Sequence, residues 1–141
     1  MSATGLEVFD STLQKTSLWL NDLMMEMGWK DRHKAYSTLR AVLHVLRDRL
    51  MVDEAVDLGA QLPMLVRGFY YEGWRPAGKP LKYRHKEEFL NYVTEKYRGL
   101  EGTEQERAVS AVFKVLSKHV TGGEIEEVRN QLPEEVRALW P

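Results

Sequence analysis

The segment Gln61-Leu62-Pro63-Met64-Leu65-Val66-Arg67 returns 70 positions later as Gln131-Leu132-Pro133-Glu134-Glu135-Val136-Arg137, with five of the seven residues identical. A Trp and a Pro follow each copy, Trp74 and Pro76 after the first and Trp140 and Pro141 after the second. An echo at fixed spacing marks a duplicated structural unit, and it narrows the possible folds to those that two similar halves can build together. Glu54 pairs with Glu124 at the same spacing of 70, whereas further upstream the best spacing is 73, which sets Ala35, Ser37, Val42 and Leu43 on Ala108, Ser110, Val115 and Leu116. Leu20 with Val93 and Met24 with Tyr97 continue the apolar match. The second copy is therefore three residues shorter between about Arg47 and Asp53, and it shortens again before Trp140. Such length changes are tolerated best in connections and at helix ends.

A chain of 141 residues with 43% hydrophobic content fits one domain with a substantial core. Each half alone is small, so one core shared by both is expected, in a single domain over residues 9–141. Its parts are repeat one at about 9–74, a connector at about 75–86, and repeat two at about 87–141. The sequence has no Cys, which removes disulfides, thiol catalysis and thiolate metal sites and suits a reducing cytoplasm. It has neither a basic-then-apolar N-terminal leader nor an 18-residue apolar run, so a cytoplasmic protein with no membrane contact is expected. The net charge of −1 hides a basic connector, because residues 75–86 carry five basic and no acidic side chains.

Apolar residues recur at helical spacing nearly throughout. Phe9, Leu13, Thr16, Leu20, Leu23, Met24 and Met27 predict one buried face of a first helix ending near Gly28. Asp31 reads as the N-cap of a second helix, whose buried face is Ala35, Leu39, Val42, Leu43, Leu46 and Leu50. Asp53 is expected to cap a short third helix through about Ala60. Pro63, whose missing N–H and fixed φ suit a first helical turn, is expected to start a fourth. In the second half, Thr103-Glu104-Gln105-Glu106 and Thr121-Gly122-Gly123-Glu124 have the spacing of reciprocal Thr–Glu capping boxes. The helix between them should bury Ala108, Val112, Val115, Leu116 and His119. No alternating strand pattern of useful length occurs. The expected fold is all-α, a bundle of about eight helices in two quasi-equivalent four-helix repeats.

Several residue patterns carry a resemblance: the Ala-x-x-x-Leu-x-x-Val-Leu helix, the short helix with its Glu, the Gln-Leu-Pro-x-x-Val-Arg ending, the segment Tyr71-Glu72-Gly73-Trp74-Arg75-Pro76, and Phe89-Leu90 opening the second half. Together they resemble the prokaryotic family of unknown function DUF2267, from about Phe9 to Pro141. The resemblance implies a helical bundle from bacteria or archaea. It implies no activity and assigns no catalytic or ligand residue.

Taken singly, the candidate sites are weak. Gly73-Trp74-Arg75-Pro76-Ala77-Gly78-Lys79-Pro80 matches the Gly and Lys positions of a phosphate-binding loop but has Pro80 where Ser or Thr would hold Mg²⁺, and two prolines remove donors. The basic strip Arg75, Lys79, Lys82, Arg84 and Lys86, with Trp74 and Tyr83 as stacking groups, interleaves aromatics with cations, a pattern that can hold an anionic strand. With Tyr70 just upstream, these residues are the candidate partner-binding set. Five charges and a pI near 6.4 do not favour nucleic acid. None of the four histidines, His33, His44, His85 and His119, has a His or carboxylate partner at the spacing of a known metal motif; His44 and Asp48 sit four apart on one helix, and such a pair reads as a surface contact. Adjacent acids at Glu87-Glu88, Glu126-Glu127 and Glu134-Glu135 diverge around a helix and cannot act as an acid–base pair alone. No catalytic residue, metal ligand or cofactor is expected. Trp19, Met25 and Trp29, with Phe69, Tyr70, Tyr71 and Trp74, form either packing between repeats or an adaptable apolar surface. The leading expectation is a non-enzymatic interaction or structural module that binds a protein partner or itself. One alternative is a binder of nucleic acid or a phosphorylated ligand through residues 74–86; another is an enzyme with its site between the repeats.

Overall fold

The computed structural model describes residues 2–141, and among them there are eight helices and no strand. They are α1 (Glu7–Met27), α2 (Arg32–Arg49), α3 (Val52–Ala60), α4 (Met64–Tyr71), α5 (Lys86–Lys96), α6 (Glu104–His119), α7 (Gly122–Gln131) and α8 (Glu134–Arg137). None is long and apolar enough to cross a membrane.

The centre is built on α2 and α6. Both bury side chains around most of their circumference, as helices enclosed by neighbours must. Ala35 and Ala108 are fully buried, and α2 packs on α6, with α1 lying across both. Buried side chains from both halves of the chain form one cluster. Next to it, α3 packs on α4 and on α7, the latter being the contact that joins the short helices of the two halves.

Local chemistry sets the helix ends. Gly28 takes φ 70° at the end of α1, a left-handed geometry that favours glycine, and Trp29 N then donates to Met24 O at 2.9 Å. Asp31 caps α2 by accepting from Lys34 N at 3.2 Å. Pro63 stands one position earlier than expected, at the N-cap of α4. The repeated heptapeptide ends in an arginine that folds back on its own break. Arg67 Nε and Nη2 donate to Gly59 O and Leu62 O, both at 2.9 Å, and Arg137 donates likewise to Arg129 O at 3.1 Å and Leu132 O at 3.0 Å. Each arginine thus satisfies carbonyls at the C-terminus of the preceding helix, where a cation is favoured by the helix dipole.

Three local expectations are corrected, and Trp19 takes the packing role open to it. Phe9 and Leu13 lie on the apolar stripe of α1 but are 46% and 42% exposed, because no neighbouring helix covers that side of its first two turns. Trp19, off the expected stripe, is buried and stacks on His119 at 5.0 Å. His119 sits at the core edge as anticipated, bonded through Nε2 to Asp22 at 2.6 Å. Met51, not Asp53, is the N-cap of α3, and its N–H donates to Gln131 Oε1 at 2.9 Å. Thr103 makes no side-chain cap, and Glu106 turns to Lys86 at 3.0 Å.

His44 and Asp48 do not form a surface pair. His44 is buried, and its Nε2 lies 2.6 Å from Phe69 O. Because a carbonyl only accepts, Nε2 carries the proton. One turn later the buried Arg47 donates to Tyr70 O at 2.7 Å, Glu72 O at 3.0 Å and Asp48 Oδ1 at 3.0 Å. The polar edge of α2 therefore closes the C-terminal carbonyls of α4.

Candidate functional site

Two arrangements stand out from the packing. The first is an uncovered apolar face. The α1 stripe Phe9, Leu13, Thr16 and Leu20 begins in solvent and runs into a groove of about 650 Å³ between α1, α2 and α4. Leu20, Tyr36, Leu65 and Phe69 line that groove, with Arg32 and Glu72 at its rim. Leu65 is exposed and is held beside α1 by its N–H, which donates to Thr12 Oγ1 at 2.8 Å. Met64 on the preceding position is exposed as well. The Thr16 hydroxyl is enclosed there without a hydrogen-bond partner.

The second is a carboxylate cluster at the α3–α7 junction. Glu54 and Asp57 stand three apart on α3, and Glu124 and Glu127 stand three apart on α7, so each pair shares a helix face. One oxygen from each of the four lies within 4.8 Å of the others. Glu54 and Glu124 are only 7% and 9% exposed, and the Oε2 atom of each lacks a hydrogen-bond partner. Gln131 Nε2 reaches Glu54 Oε1 at 3.5 Å. Burial pushes Glu124 up to about 8, with the adjacent Glu54 adding to the shift, so Glu124 holds its proton well above the usual carboxylate range.

The sequence pattern misdirects at this point. Thr121 does cap α7, accepting from Glu124 N at 3.4 Å, but Thr121 N donates to Gln61 Oε1 at 3.5 Å. The Glu124 side chain is therefore free to face α3 instead of completing a capping box. The matched pair Glu54 and Glu124 is half of the cluster. Asp57 and Glu127, also 70 apart, are the other half, and extending the echo by one helical turn would have found them.

The connector candidates divide. Tyr70 is wholly buried, its hydroxyl donating to Ala55 O at 2.6 Å. Tyr83 is buried against Tyr92, with the Arg49 guanidinium 5.4 Å over its ring. Lys86 is paired with Glu106. Trp74 is half-buried and stacks on Tyr71 at 5.4 Å, whereas Trp140 is core, stacked on Phe113 at 4.2 Å and bonded to Ser117 Oγ at 2.6 Å. Lys79 is half-exposed, and Arg75, Lys82 and Arg84 face solvent.

No curated protein matches this chain. The profile of the uncharacterized conserved protein family DUF2267 matches residues 16–139, beginning where α1 enters the core. With the match spanning almost the whole helical bundle, the chain belongs to the DUF2267 family.

Proposed function

We propose that the protein is a non-enzymatic interaction module whose docking face is the uncovered half of α1 together with the groove beside α4. The observation that carries this reading is the continuity of the α1 stripe, which supplies core residues at Leu20 and Leu23 yet leaves Phe9 and Leu13 in solvent. A helix face that is apolar at core spacing and uncovered is what a second helix requires, through anchors at i, i+3, i+4 and i+7. The occupant we favour is the same stripe of a second copy, because a two-fold contact uses one surface twice and needs no other partner. Residues 7–15 of α1, which include Phe9 and Leu13, lie upstream of the matched residues 16–139. Light scattering coupled to size exclusion is expected to give a dimer at tens of micromolar. Leu13→Glu, at an exposed site, is expected to give a folded monomer. A parent protein that is monomeric across that range sinks the reading.

We propose also that the bundle is two equivalent four-helix units sharing one core, within a single domain. The matching arginine bonds of Arg67 and Arg137 support it. So do the crosswise glutamines: Gln131 takes the Met51 N–H opening α3, and Gln61 takes the Thr121 N–H opening α7.

A second reading gives the connector a polyanion to hold, supported by the exposure of Arg75, Lys82 and Arg84; none of the three has an ion-pair partner among the described residues. It expects salt-sensitive retention on immobilised single-stranded DNA, abolished by Lys82→Glu with Arg84→Glu. No retention of the parent protein ends it.

A further inference from the structure

We propose that Glu54, Asp57, Glu124 and Glu127 bind one hard divalent cation of Ca²⁺ size at the α3–α7 junction. Opposite ligands in a Ca²⁺ shell stand roughly 4.6–5.2 Å apart, twice the metal–oxygen distance, and about 4.0–4.2 Å apart around Mg²⁺. The four oxygens fall within 4.8 Å of one another, so they can enclose Ca²⁺ with side-chain adjustment alone. An all-carboxylate donor set, with neither His nor Cys, selects hard cations over zinc or copper.

Proximity of acids is not the whole case. Two of the four side chains, Glu54 and Glu124, are more than nine-tenths buried, and each has an oxygen, Oε2, with no hydrogen-bond partner. A buried carboxylate oxygen without a donor is costly, and a cation between the two would serve both at once. Among the described residues no Lys, Arg or His forms an ion pair with any of the four. Asp57 and Glu127 are exposed, which gives an ion a path from solvent to the inner pair. The ligands come equally from α3 and α7, so the ion would fasten the two halves of the chain to each other. This inference stands apart from the docking face on α1.

The test uses full-length protein stripped with chelator and then titrated with CaCl₂ by calorimetry, alongside thermal unfolding. One Ca²⁺ per chain is expected, with a Tm that rises with Ca²⁺ concentration. In the double variant Glu54→Gln, Glu124→Gln, Ca²⁺ affinity should fall at least tenfold while the ion-free Tm holds or rises, so loss of binding is separable from loss of fold. Absence of both heat and Tm shift overturns the site, as does an equal shift in the double variant. Tighter binding of Mg²⁺ than of Ca²⁺ overturns the assignment of size.

Discussion

Arg47→Ala is expected to lower the unfolding free energy by about 3–5 kcal/mol, a large loss for a single substitution. The guanidinium is buried and divides its donors among Tyr70 O, Glu72 O and the Asp48 carboxylate. Removing it leaves two helix-end carbonyls without a donor, leaves Asp48 without its counter-ion, and opens a cavity beside the core. Each of these is unfavourable separately, and they coincide at one site. Arg47→Lys tests the geometry more finely. An ammonium is a point donor and cannot fork to three acceptors in fixed directions, so about half of the loss is expected to remain. Urea unfolding of the three proteins at one pH measures this. A lysine variant as stable as the parent would mean that charge alone, not the fork, holds the end of α4.

The central helices were legible because burial on most sides leaves the strongest apolar pattern, as in Ala35 to Leu46 of α2 and Ala108 to Leu116 of α6. The first turns of α1 were not. Periodicity reports that Phe9 and Leu13 share a face with Leu20, but it carries no information about whether anything covers that face. Arg47 and His44 were opaque for a related reason. Their partners are backbone carbonyls of residues 69–72, and backbone acceptors have no sequence signature.

The carboxylate cluster was half visible. Glu54 and Glu124 emerged as an aligned pair, but a Glu three positions after Thr121 is also what a capping box requires, and local chemistry offered the simpler account. Gln61 occupies the Thr121 N–H that the box would have used, a contact between residues 60 positions apart that no local motif contains. Tyr83 errs the other way: between Lys82 and Arg84 in the sequence, it is turned into the core, as is Tyr70 on α4.

Acid is expected to destabilise the protein through His44 before it does so through the carboxylates. Desolvation is the main cause that lowers this imidazole from its ordinary 6.5 to about 4; the bond to Phe69 O opposes the shift, and the nearby Arg47, Arg40 and Lys96 charges reinforce it. Unfolded, the ring takes a proton near 6.5; folded, it stays neutral until about 4. Between those values the unfolded state binds more protons, so stability falls as pH falls through this interval. The contribution is complete above about 6.5 and gone below about 4, and its full size is about 3 kcal/mol. His85 works in the opposite sense. Its bond to Glu135 raises it, so its contribution is present below 6.5 and lost as pH rises past its raised value; it lies in solvent and adds little. His44→Gln keeps an N–H donor near Phe69 O and removes the titration. Its urea-derived stability is expected to start about 1–2 kcal/mol lower at pH 7.5, the effect of an imperfect fit in a packed site. It should then stay nearly level down to pH about 5, while the parent declines steadily toward it. Parallel curves for the two proteins across that range would show that the buried imidazole is not the group responsible.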